Sequence, residues 1–432
     1  MLRTIDLRGK AASEFGKAVP RPIVDVSVAS EAAGALIDAV RGGGVAQLFE
    51  QADRFDGGRP AQLRVPQSAF DAAIAGLGTE LRAAIELSIA RVTEGARAQV
   101  PPETTTSIAD GATIVQRWHP VARAGVYVPG GKAVYPSSVV MNVVSAQVAG
   151  VREIALASPP QKQFGGGVHP LILAAAGLLG VDEVYAMGGA GAIGALAYGV
   201  PDAGLRPVQI ITGPGNIYVA AAKRLVRGVV GIDSEAGTTE ILVIADETAD
   251  PVIIAADLLS QAEHDEAAAS VLVTDSAELG DAVRLAIRPL LAATANAARA
   301  RVALDGPQSA IVLVDDEAAA VAFSDAYAPE HLELHTADPH ATLARIENAG
   351  AIFLGQSTPV SLGDYLAGSN HVLPTGGTAR FSSALGAYTF LRPQQVIEYS
   401  RKALAELEPA IVALANAEHL PAHGEAVTAR FR

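Results

Sequence analysis

Cysteine is absent from this 432-residue chain. Disulfides, thiolate metal sites and thiol nucleophiles are excluded together, so any metal must be held by His, Asp, Glu or Gln, and any proton moved by His or a carboxylate. Positive charge is short as well. Lys and Arg total 32 against 46 Asp and Glu, a formal charge of −14, and no Lys/Arg run forms a basic stripe. Nucleic acid is therefore not an expected partner. Aromatics make up only 5% of residues although half are hydrophobic, a composition suited to closely packed α/β layers. No apolar run reaches about 18 residues and residues 1–10 lack an apolar core, so neither a membrane span nor a secretion signal is expected. The expected compartment is the cytoplasm.

What is present is a regular alternation. Over residues 29–99 apolar positions recur at three- and four-residue spacing, a helical pattern broken at Gly42-Gly43-Gly44 and Asp56-Gly57-Gly58. Residues 101–107 are polar, and 113–118 and 124–128 read as strands, the second stopped by Pro129-Gly130-Gly131. Helices at 137–149, 170–179, 192–198 and 216–227 then alternate with strands at 153–157, 183–187 and 208–211. A second alternation places strands at 241–245, 270–274, 310–314, 332–335 and 351–354 around helices at 251–263, 276–298 and 317–327. Such alternation predicts an α/β chain of two doubly wound, Rossmann-like parallel-sheet modules. The expected organisation is an N-terminal arm (1–28), a first module (29–128 and 238–380), a second module on the cofactor side (129–237), and a C-terminal helical tail (381–432). A helix is expected at 393–415. The tail is too short to hold its own core and is expected to pack on a second subunit.

Several stretches carry ligand-type side chains. In Ser260-Gln261-Ala262-Glu263-His264-Asp265, residues 261 and 264 share a helix face and could converge on one ion; a polar helix end capped by His264 is the alternative. Gly189-Ala190-Gly191-Ala192-Ile193-Gly194 matches G-x-G-x-x-G, but the acidic residue expected about 20 positions on is missing, and helix–sheet packing competes as its explanation. Thr212-Gly213-Pro214-Gly215-Asn216 is a second glycine turn opening a helix, where free amides could hold phosphate. Glu330-His331 sets a carboxylate beside an imidazole at a strand start, which suits proton transfer or a plain surface pair. Asp364 and His371 follow in a glycine-rich loop, and Glu418 and His423 lie in the tail. His335, His340 and His419 read as surface residues, and His119 and His169, each before proline, as turn residues.

Taken together, Tyr127-Val128-Pro129-Gly130-Gly131, Gly213-Pro214-Gly215-Asn216, Ser260 to His264, Pro329-Glu330-His331-Leu332, Gly363-Asp364-Tyr365, Ser369-Asn370-His371-Val372-Leu373-Pro374 and Ala422-His423 closely resemble histidinol dehydrogenase. The resemblance runs from about residue 5 to the C-terminus. It implies a homodimer that oxidises L-histidinol to L-histidine with two NAD+ and one zinc per site. By the same resemblance Gln261, His264, Asp364 and His423 are the zinc ligands, and Glu330 and His331 the proton-transfer pair. Thr239, Gln261, His264, His331, Asp364, His371, Glu418 and His423 match substrate-side positions, and Tyr127, Gly191 and Asn216 cofactor-side ones. Two positions depart from the family pattern: Gly191 replaces a glutamine, and Gly237-Thr238-Thr239 lacks its usual proline. A paralogous zinc dehydrogenase of another polar alcohol, such as a sulfonated diol, is the enzyme alternative, which Glu418 argues against. A zinc- or NAD-binding protein without catalysis is the other, against which Glu330-His331 stands.

Overall fold

The computed structural model describes residues 2–21, 26–130, 134–235 and 237–432. Met1, part of the N-terminal arm at 22–25, and Gly131 lie outside the described residues. Two parallel sheets form the body, as the alternation predicts. The first has strand order Arg3–Asp6, Ala310–Leu313, Ala269–Thr274, Glu240–Ala245, His331–His335, Ala351–Leu354. The second runs Val184–Ala186, Glu153–Ser158, Arg123–Tyr127, Ile210–Thr212, Gly231–Ile232. Each sheet carries a separate apolar cluster on either face. Central strands such as Glu240–Ala245 are buried along their whole length, which explains their unbroken Ile/Leu/Val runs. Each such side chain contributes roughly 1.5–3 kcal/mol on full burial.

Three expectations are corrected. The segment 29–128 belongs with the second sheet and not the first. Strand Arg123–Tyr127 is the middle strand of that sheet. The helix Val26–Phe55 packs on Gly189–Tyr198 and Ile217–Val226, while Gln67–Ala75 and Thr79–Arg97 cover Pro170–Leu178 and Pro136–Val148. Its apolar residues Ala33, Ile37 and Val40 bury in the core of that face, so packing and not sequence order decides the partner. Gly44, at φ 54 and ψ −133, bends the long helix where side-chain-bearing residues are disfavoured. Within the expected N-terminal arm, Arg3–Asp6 pairs in parallel with Ala310–Leu313 as an edge strand of the first sheet.

The tail is the second correction. Residues 391–399 form the strand Leu391–Tyr399, antiparallel to Ala112–Pro120, which also pairs with Thr104–Ala109. Pro393 is tolerated because this strand is an edge, where a missing N–H costs no ladder bond on the open side. Helices Arg401–Ala417 and Pro421–Thr428 follow and pack on each other. The third correction splits the helix expected at 276–298 into Ala277–Ala293 and Ala297–Asp305, separated at Thr294, whose backbone is extended. Among the described residues no helix is long and apolar enough to cross a membrane.

Candidate active site

The first sheet reverses its winding between Glu240–Ala245 and His331–His335, and in such sheets ligands ordinarily sit at the carboxyl ends. Here the chemically dense cluster lies at the opposite ends of those strands. Thr239 and Glu240 open one strand, and Glu330 and His331 open the other, with His331 in register with Ile241. The crossover helix Pro251–Ala262 returns along the sheet, so its last turn delivers Gln261, and His264 just beyond, to the same edge.

Glu330 is buried and heavily engaged. Its Oε2 accepts from Thr239 Oγ1 at 2.6 Å and from the Glu240 amide at 2.8 Å, with His331 Nδ1 3.5 Å away. Burial pushes the carboxyl up to about 7, against the downward pull of His331 and the two hydrogen bonds. A carboxyl poised there can give or take a proton near neutrality. His331 Nδ1 lies 3.1 Å from the Glu240 carbonyl; as the N–H donor of that pair it leaves Nε2 as the free base.

Gln261 joins this network through its amide nitrogen, which donates to Thr239 Oγ1 at 2.5 Å and leaves Oε1 as the atom able to ligate. His264 Nδ1 is 3.0 Å from the Ser260 carbonyl, which likewise turns Nε2 outward. Asp364 lies on the short helix Val360–Tyr365, anchored by Ser88 Oγ and Arg91 on the carbonyls of Tyr365 and Leu366. His371 Nδ1 is 3.0 Å from the Asp364 carbonyl and 3.9 Å from its Oδ1, and Nε2 is 3.2 Å from Ser138 Oγ. Burial lowers the His371 imidazole, Asp364 opposes this, and His331 and His264 add to the lowering. These four side chains therefore share one electrostatic neighbourhood. The side chains of Gln261, His264 and Asp364 offer N and O donors only, a donor chemistry that zinc accepts.

The second crevice follows the ordinary rule. Tyr127 and Thr212 end adjacent strands where the second sheet reverses its winding. Tyr127 Oη accepts from the Gly189 amide at 3.2 Å, at the start of helix Gly189–Tyr198. Asn216 caps the next helix, its Oδ1 accepting from Tyr218 and Val219 amides. The Gly213 turn, at φ 115, is held by Lys223 Nζ on its carbonyl at 3.0 Å and Asp233 on its amide at 2.8 Å. Asp56 overhangs this crevice, since a Cβ on Gly188 would lie 2.6 Å from its Oδ1; burial raises its carboxyl to about 7. Gly191, by contrast, faces inward. The space its side chain would need is filled by Gln51 from helix Val26–Phe55.

The tail residues stand apart. Glu418 ends helix Arg401–Ala417 and His423 lies in Pro421–Thr428; both are exposed, and among the described residues no hydrogen bond or ion pair joins either to Glu330, Gln261, His264 or Asp364. Two other histidines differ from expectation. His335 is buried at 3% exposure because it projects from a central strand, and His119 lies within strand Ala112–Pro120 and not in a turn. His169 keeps its turn role as a helix cap, Nδ1 accepting from the Leu171 amide. Ser138 and the Glu240 backbone, both part of the network, carry no sequence signal that marks them.

The histidinol dehydrogenase family model matches residues 19–431. The chain belongs to the histidinol dehydrogenase family. A histidinol dehydrogenase from Leifsonia xyli subsp. xyli is 67% identical over 432 residues, covering 100% of this chain and 99% of that protein. One from Thermobifida fusca is 56% identical, covering 100% and 98%. The crystal structure of histidinol dehydrogenase from Elizabethkingia anophelis matches with a TM-score of 0.94 at 32% identity, covering 100% of this chain and 98% of that one. Membership makes the chain an NAD-dependent oxidoreductase of histidine biosynthesis.

Proposed function

We propose that this chain, in the cytoplasm, oxidises L-histidinol to L-histidine through the aldehyde with two NAD+, as a homodimer with one zinc per site. The observation that carries the reading is a buried Glu330 carboxyl at about 7, beside His331 and bridged through Thr239 to Gln261. Gln261 Oε1, His264 Nε2 and an Asp364 oxygen would hold zinc, with His423 from a second copy as the fourth ligand. When bound, zinc would orient the imidazole and amine of histidinol and polarise its oxygen, while NAD+ accepts hydride.

The chain's own groups handle the protons. His331 takes the hydroxyl proton at Nε2 in the first oxidation. With no cysteine to form a thiohemiacetal, the aldehyde must be hydrated, and Glu330 as carboxylate takes a proton from the attacking water. The Thr239 hydroxyl and Glu240 amide hold that carboxylate in place. His371 and Asp364 line the substrate side, and Glu418 from the second copy would meet the substrate. Tyr127 and Asn216 flank the dinucleotide crevice, with Gly191 in the helix behind it.

NADH production with L-histidinol, before and after chelation, tests this reading. Two NADH per histidinol and activity lost on chelation and restored by zinc are expected. One NADH with aldehyde released, or full activity in metal-free protein, would reject it.

A further inference from the structure

The helix and strand that meet at the site meet a second time one step deeper. Asp257 lies one helical turn before Gln261, on the same face of Pro251–Ala262, and Glu333 and His335 alternate along His331–His335 on the face that carries His331. All three are buried, at 7%, 0% and 3% exposure. One oxygen or nitrogen from each lies within 4.8 Å of the others. Glu333 Oε1 accepts from the Val360 amide at 2.9 Å, and its Oε2 lies 3.3 Å from His335 Nε2. Glu333 Oε2, Asp257 Oδ2 and both ring nitrogens of His335 have no fully formed hydrogen bond. Val243, Ala245 and Phe353 are the register neighbours of Glu333 and His335 on the adjoining strands, and among the described residues no Lys or Arg pairs with the three.

Two buried carboxyls in contact cannot both ionise without a compensating cation. We propose that Asp257 is protonated and donates to Glu333, with His335 closing the other side, so that the three form a shared-proton bolt fixing the Pro251 helix to the His331 strand. Asp257, Glu333 and His335 are thus positioning residues that set Gln261 against Thr239 and Glu330. The proposal rests on the zinc and proton-transfer reading given above. Burial first, then the charge of Glu333 and the hydrogen bond to it, hold the Asp257 carboxyl well above the usual range.

A carboxyl whose folded value is raised keeps its proton in the folded state where the unfolded chain has lost it, so stability falls as pH rises above the unfolded value. Asp257→Asn keeps an N–H donor toward Glu333 and needs no proton. Its melting temperature should therefore gain on the wild type as pH is raised from about 5 to 8. Infrared difference spectra of the two proteins should show a protonated-carboxyl band in the wild type only. Asp257→Leu, which removes the donor, should weaken zinc binding by roughly tenfold or more, as loss of a supporting partner does, whereas Asp257→Asn should bind zinc nearly as the wild type.

Parallel melting curves with no infrared band would overturn the shared proton. Equal zinc affinity in Asp257→Leu would overturn the positioning role. A second metal equivalent in the wild type that Asp257→Asn lacks would instead make the cluster a cation site. A wild type that neither binds zinc nor oxidises histidinol would reject the functional reading alone, because the melting curves and the infrared band report on the proton directly.

Discussion

Gln51 occupies the place of a side chain at position 191. A Cβ added to Gly191 would lie 2.0 Å from Gln51 Oε1 and 2.9 Å from its Cδ, while Gln51 Nε2 donates to the Leu36 carbonyl at 3.1 Å. Gly191 has no positive φ, so its glycine is a matter of space and not of backbone. The two helices approach closely because one of them supplies the amide.

Gly191→Gln should therefore destabilise the protein by about 1–3 kcal/mol, the usual cost of overfilling a packed interior. Gln51→Ala introduced with it should recover much of the loss, because the two positions share one space. Melting of the single and double variants measures this. A fully stable Gly191→Gln protein with improved NAD+ affinity would show that the Gln51 contact gives way at no cost.

Glu330 gives a pH signature. Burial raises its carboxyl to about 7, and the water-activating form is the carboxylate, so aldehyde oxidation should rise with pH through about 7. Glu330→Gln should still turn alcohol into aldehyde but lose aldehyde oxidation by about 10²–10⁴-fold, the usual contribution of a general base. His331→Ala should instead be impaired in the first step. Single-turnover assays started from histidinol and from histidinal separate the two. Equal loss in both half-reactions of Glu330→Gln would remove its assigned role.

Much of this was legible because local signals and packing agree. The helix Glu317–Tyr327 falls where the pattern puts it, since its Asp316 cap, apolar spacing and burial point the same way, and the strand Ala351–Leu354 falls there by its apolar run. Leu391–Tyr399 does not, because its structure comes from pairing with Ala112–Pro120, some 270 residues earlier, and Pro393 imitates a helix start. The same limit hid the partner of residues 29–128, whose amphipathic helices could cover either sheet. In the site, Glu330-His331 and Gln261–His264 are visible as chemistry-bearing neighbours. The Asp257–Glu333–His335 group is not, since Glu333 and His335 follow Asp257 by 76 and 78 positions, with the strands Ala269–Thr274 and Ala310–Leu313 between, and His335 alone looks like a surface histidine.

His423 and Glu418 are exposed on the terminal helices, and among the described residues no hydrogen bond or ion pair joins either to Gln261, His264 or Asp364. A two-fold dimer makes any exchange of such residues reciprocal, each site taking the tail of the other chain. His423→Ala and His264→Ala should each be inactive as pure proteins. Mixed under conditions that exchange subunits, they form heterodimers in which one site carries both lesions and the other carries neither, so activity should return to about a quarter of wild type for random pairing. If exchange is demonstrated by mass-tagged chains and no activity returns, His423 serves the site of its own chain and must reach it by a movement of the terminal helices.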